Sequence, residues 1–137
     1  MIFSPTSNGR STECRRWSPP ALLLAAEVDD QGLIADLIDA FSTDTAVRIR
    51  RIHEALAASN FSTIRAEAHT IRGSALEVGA DAVAEACQEL ETMSALQEAA
   101  VIAAGLNRVQ ELFEEVRCAM TAYSNGEHTD VTLKPSI

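Results

Sequence analysis

The residues of this chain best suited to chemistry lie in one run, Ala68-His69-Thr70-Ile71-Arg72-Gly73-Ser74-Ala75-Leu76. Apolar residues recur through it at helical spacing, and on a helix surface residues three and four apart are neighbours. His69 therefore shares a stripe with Arg65, Arg72, Gly73 and Leu76, at i−4, i+3, i+4 and i+7. A free imidazole ordinarily titrates near pH ~6.5, so its neutral form is a nucleophile available at physiological pH. Guanidinium groups hydrogen-bond phosphoryl oxygens. An exposed imidazole framed by two arginines suits acceptance of a phosphoryl group, with a hydrogen bond at the other ring nitrogen selecting the attacking tautomer. Glycine inside a helix costs roughly 0.8–1 kcal/mol relative to alanine. Two roles are open to Gly73, close helix packing or an uncovered imidazole, and its place beside His69 on the flank favours the second.

Other chemistries fit this stripe poorly. No His or Cys stands three or four residues from His69, and the arginines would repel a cation, so a metal site is not expected. No GxSxG motif occurs to mark a serine hydrolase. Neither a P-loop nor a glycine-rich kinase loop is present, so the chain is not expected to phosphorylate itself from ATP.

Composition bounds the scaffold. The 137 residues are 47% hydrophobic but only 4% aromatic, which describes one domain with an Ala, Leu, Ile and Val core of helical character. The longest apolar run near the N-terminus, Ala21 to Ala26, falls far short of the ~20 residues a membrane span needs. Arg15-Arg16-Trp17 before that run faintly resembles an export signal, but such signals need roughly 7–15 apolar residues and a small-residue cleavage site. Cys14, Cys87 and Cys118 show no ligand spacing, and their odd count argues against a disulfide framework. A cytoplasmic protein is the expectation.

The net charge of −9 disfavours nucleic acid and anionic membrane surfaces as partners. Its distribution is uneven. Thr45 to Ala80 holds five arginines against three glutamates, whereas Asp81 to Glu115 holds eight acidic residues against Arg108 alone. His69 thus lies in the basic half of an acidic chain.

The elements that must position His69 follow from periodicity. Residues 1–20 and 124–137 lack it and read as flexible tails around a domain at 21–123. A first helix carries Ile34, Ile38, Phe41, Thr45, Ile49, Ile52 and Leu56, with a kink allowed at Ser42-Thr43-Asp44, and Ser59-Asn60 ends it. The second has the seam Phe61, Ile64, Ala68, Ile71, Ala75 and Val78, closed by Gly79. Asp81 is expected to cap a third helix with Val83, Cys87, Leu90 and Ser94 inward. The fourth, from near Gln97, has Ile102, Leu106, Val109, Phe113, Val116, Met120 and Tyr123 inward, weakened only by Gly105. Connections this short join antiparallel neighbours, so the fold class is all-α, an up-down-up-down four-helix bundle. Leu22, Leu23, Leu24 and Val28 could add a short N-terminal capping helix.

The run from Ala68 to Ala75, followed by Val78-Gly79-Ala80 and later by Cys87, Leu90 and Glu91, resembles the signature of histidine phosphotransfer (HPt) domains of bacterial multistep phosphorelays. The resemblance extends over roughly Val28 to Tyr123. It implies an antiparallel four-helix bundle in which His69 accepts phosphate on Nε2 from a receiver-domain aspartate and passes it to another receiver. It also implies that Mg²⁺ belongs to the partner receiver, that the chain needs no cofactor of its own, and that its partners are receiver domains of a hybrid kinase and of response regulators. A monomer is expected. Leu76 with the small residues Gly73 and Ser74 would form the apolar centre of the docking patch, with Arg65 and Arg72 at its rim. For Leu76 a boundary core position is equally open.

This chain departs from the family at two positions. Arg72 stands where Lys is usual, exchanging a point charge for a planar fork. The residue that orients the imidazole from the next helix is often Gln, and the matching position is Glu91, whose carboxylate would repel a nearby phosphoryl group. Gln88, one turn earlier, is the alternative. Two other functions are compatible with a histidine on a helical bundle. Sensor-kinase phosphoacceptor helices typically place an acidic residue after the histidine and a proline soon after, whereas Thr70 follows here and no proline occurs between Pro20 and Pro135. A helical adaptor that binds signalling partners without being phosphorylated would use the same bundle.

Overall fold

Helical periodicity becomes four helices in the computed structural model, which describes residues 17–21 and 32–125. They are α1 (Leu33–Ala57), α2 (Phe61–Glu77), α3 (Asp81–Ser94) and α4 (Ala99–Ser124). No strand occurs among the described residues. Connections of three, three and four residues make consecutive helices antiparallel neighbours, and the ring closes because α1 packs on both α2 and α4. The all-α up-down bundle anticipated above is the fold observed.

Each seam faces the common core. Ile64, Ala68, Ile71 and Ala75 of α2 are fully buried, as are Cys87 and Leu90 of α3 and Ile102, Val109 and Met120 of α4. Phe41 and Phe113 meet edge to face across α1 and α4, with centroids 6.0 Å apart. Burial pushes the Cys87 thiol up to about 12, with the Glu91 charge adding to the effect, so Cys87 is a small core residue rather than a reactive thiol.

Helix ends are set by specific residues. Asn60 caps α2, its side-chain oxygen accepting from the Thr63 backbone N–H at 3.2 Å. Asn60→Ala should cost about 1 kcal/mol, read as a lower urea midpoint with unchanged slope. At the other end of α2, Ala80 N–H bonds Ala75 O at 2.8 Å and Gly79 N–H bonds Leu76 O at 3.3 Å. This paired closure requires a left-handed residue, which Gly79 supplies at φ 78°.

Several details differ from expectation. Ser42-Thr43-Asp44 do not interrupt α1, which runs unbroken for 25 residues. Asp81 is the first residue of α3 rather than its cap; Ala80 holds that place without a side-chain bond, and Asp81 acts as the acidic residue of the first turn. Gly105 reflects packing, because a Cβ there would lie 2.6 Å from Met93 Sδ and 3.3 Å from Leu90 Cδ1. Packed structure also begins before Pro20. Trp17 is buried, donates from Nε1 to Val78 O at 2.9 Å and stacks edge-on against Tyr123. Cys118 is disulfide-bonded, against the expectation drawn from the cysteine count. Leu22, Leu23, Leu24 and Val28 lie outside the described residues. No described helix is long and apolar enough to cross a membrane.

Candidate functional site

With Ala68 and Ile71 turned fully into the core, His69 must stand on the flank of α2, and its side chain is 68% exposed. α3 runs antiparallel alongside and brings Glu91 to the ring. His69 Nδ1 lies 3.3 Å from Glu91 Oε1, while Arg72 Nη1 donates to Glu91 Oε2 at 3.1 Å. The two carboxylate oxygens are thus divided between the imidazole and the guanidinium. Glu91 is only 16% exposed. Its helix end is tied down by Ser94, whose hydroxyl donates to Glu91 O at 2.7 Å.

An ionised carboxylate only accepts hydrogen bonds, so the contact with Glu91 places the ring hydrogen on Nδ1. Nε2 then carries the lone pair. It points away from the carboxylate and has no hydrogen-bond partner among the described residues. An open cleft of about 790 Å³ adjoins it, lined in part by Phe61, Arg65, His69, Arg72, Glu91 and Ser94. This is an exposed ring nitrogen with a clear approach, beside a cleft that Arg65 and Arg72 also line.

The residues singled out from the sequence have separate fates. Arg65 is exposed, lines the cleft and makes no ion pair among the described residues. Arg72 is half-buried and held by Glu91. A Cβ at Gly73 would meet nothing within 4 Å, so this glycine does not serve helix packing and leaves the flank beside His69 open. Ser74 is half-buried, and Leu76 is 55% exposed, which removes the boundary-core reading for it. Of the two residues weighed for orienting the ring, Glu91 meets it. Gln88 is exposed and makes no hydrogen bond to His69 among the described residues; its backbone carbonyl accepts from Thr92.

Sequence reasoning missed the Arg72 to Glu91 ion pair and the support from Ser94. The signal was present in part. The two positions that depart from the family pattern carry opposite charges, and they are the two that meet. Glu67, two residues before His69, belongs to the other flank of α2, where Arg48 and Arg51 of α1 hold it at 2.8 and 3.7 Å.

An exposed histidine on an antiparallel four-helix bundle, oriented through Nδ1 and flanked by cations, defines a phosphotransfer module. The chain belongs to the Hpt domain family, whose model matches residues 36–119. Among solved structures it is similar to histidine-containing phosphotransfer protein B (HptB) from Pseudomonas aeruginosa PAO1, with a TM-score of 0.67 and 28% identity over 77% of this chain and 92% of that one. No curated protein matches the sequence. Histidine phosphotransfer within a phosphorelay is the function these findings support.

Proposed function

We propose that the chain takes a phosphoryl group on Nε2 of His69 from the aspartate of one receiver domain and delivers it to the aspartate of another. The observation that carries this is the Glu91 contact at Nδ1, which leaves Nε2 as the exposed nucleophile. The bond from phosphorus to the donor's carboxylate oxygen breaks as the bond from phosphorus to Nε2 forms, and onward transfer reverses this on a second receiver. Mg²⁺ travels with the receiver, which also holds the aspartyl phosphate, so this chain contributes a nucleophile and a docking surface. Arg65 and Arg72 stabilise the phosphoryl oxygens, and Leu76 with Gly73 and Ser74 forms the apolar contact. The chain acts as a monomer in the cytoplasm.

The test is a two-receiver relay. Label on a phosphorylated receiver should move to this chain and then to a second, unlabelled receiver. Arg72→Ala should slow the first step about tenfold, the loss of one charge-assisted hydrogen bond, while the far-UV spectrum stays helical. Stable complex formation with receivers but no transfer from any of them would instead identify a helical adaptor.

A further inference from the structure

The pairing of an acceptor-only carboxylate with the histidine, where an amide would also have fitted, has a chemical consequence for the phosphorylated state. Nδ1 of His69 faces Glu91 Oε1 at 3.3 Å, and the second oxygen of that carboxylate is held at 3.1 Å by Arg72. A glutamine side chain can present either its carbonyl to a protonated ring nitrogen or its NH₂ to a bare one, so it accommodates both forms. A carboxylate accommodates only the protonated form. We propose that Glu91 is a positioning residue that keeps the proton on Nδ1 throughout the phosphotransfer cycle, with Arg72 countering the carboxylate's charge toward the incoming phosphoryl group. The proposal rests on the reading of His69 as phosphoacceptor.

The electron balance shows why this matters. When neutral His69 attacks through Nε2 with hydrogen already on Nδ1, the product is a phosphorylated imidazolium, and no proton need be exchanged with solvent. In the return step the bond from phosphorus to Nε2 breaks, its electron pair stays on Nε2 as the lone pair, and a bond from phosphorus to the acceptor oxygen forms. With Nδ1 protonated the leaving group is neutral imidazole. Without that proton it would be an imidazolate anion, a far poorer leaving group.

The surroundings favour this arrangement. The charged groups lining the cleft beside the ring are Arg65 and Arg72 from α2 and Glu91 from α3; Gln97, from the connection that follows α3, and Ser94 are neutral. On the α1 side, Arg48 and Arg51 are occupied by Glu67 on the opposite flank. Glu91 is largely shielded from solvent and held at its second oxygen by Arg72, so its place beside the exposed ring is fixed. Arg72 at its other oxygen offsets the repulsion that a bare carboxylate would offer a phosphoryl group.

The test needs no receiver. The full chain is phosphorylated with phosphoramidate, and loss of phosphate from His69 is followed from pH 5 to 10 for wild type and Glu91→Gln, alongside ¹⁵N NMR of the ring nitrogens. An opposite charge at this distance should displace the alkaline limb of the wild-type profile upward by about one pH unit, so that at alkaline pH wild type loses phosphate about tenfold faster than Glu91→Gln. The Nδ1 resonance of the phosphorylated wild type should report a bound proton over the same interval. Alkaline limbs that coincide within about 0.3 pH units, or a bare Nδ1 in phosphorylated wild type at neutral pH, would overturn the proposal. If the limbs coincide while receivers still phosphorylate the chain, the relay reading stands and this one fails. A displaced limb in a chain that no receiver phosphorylates has the opposite meaning.

Discussion

His69→Gln should leave no detectable phosphate on the chain after incubation with a phosphorylated receiver, a loss of at least ~10³-fold, because glutamine offers no nucleophilic nitrogen at the Nε2 position. The same variant should melt within a few degrees of wild type. Its side chain replaces one that is 68% exposed and bonded only to Glu91, and surface changes of this kind usually stay within about 0.5 kcal/mol. The check pairs a labelled-transfer assay with a thermal melt on the same preparation. Label retained by the variant would move the phosphoacceptor elsewhere, and a collapsed melt would mean that His69 is structural.

Ile71→Ala, two residues along the same helix, should do the reverse. Ile71 is fully buried on the α2 seam, and removing its methyl groups leaves a cavity that surrounding helices fill only partly, costing about 3 kcal/mol. That is a large share of the ~5–15 kcal/mol by which a domain of this size is stable. The urea midpoint should fall with an unchanged slope, whereas phosphotransfer measured well below the melting range should persist within a few-fold. The contrast separates the two faces of α2: one carries the proposed phosphoacceptor, the other holds the bundle together. An Ile71→Ala chain as stable as wild type would mean that the seam is misplaced by one position, and with it the flank on which His69 stands.

That division was legible in the sequence because it depends on helix geometry alone. Once Phe61, Ile64, Ala68, Ile71, Ala75 and Val78 are turned inward, His69 has to lie on the flank, and the structure puts it there. The four helices and their antiparallel order were legible for the same reason, since connections of three or four residues leave no other arrangement. What the sequence left open depends on contacts between helices. The choice between Glu91 and Gln88 turns on how α3 is rotated against α2, which no spacing within α3 states. Gly105 looked like a weakness because helix propensity is local, whereas its reason is the approach of Met93 and Leu90 from α3. Trp17 stood in a segment without periodicity, and a single residue anchored by one hydrogen bond to Val78 O leaves no repeating pattern to read. The kink considered at Ser42-Thr43-Asp44 failed to form because the apolar spacing continues through those residues, burying Phe41 and Thr45 on the same side, and a continuous buried stripe outweighs weak local propensity.

The two departures from the family pattern lose their separate character once they are seen to touch. Arg72 in place of lysine gives a fork that can hold one oxygen of Glu91 while its remaining N–H groups stay available for a phosphoryl oxygen. Glu91 in place of glutamine supplies a charge that, left alone, would oppose the proposed phosphorylation of His69, and in that proposal its pairing with Arg72 offsets the opposition. The site is therefore read as a unit of three side chains, so single substitutions at Arg72 and Glu91 should not be additive.

The most direct measurement is the position of the phosphate itself. The chain holds three histidines, His53, His69 and His128, and after transfer from a phosphorylated receiver, ³¹P and ¹⁵N NMR with peptide mapping assigns the modified atom. Phosphate on Nε2 of His69 is the predicted result. Phosphate on Nδ1 of His69, or on His53 or His128, would contradict the account, because the Glu91 contact would then not be what selects the nucleophile.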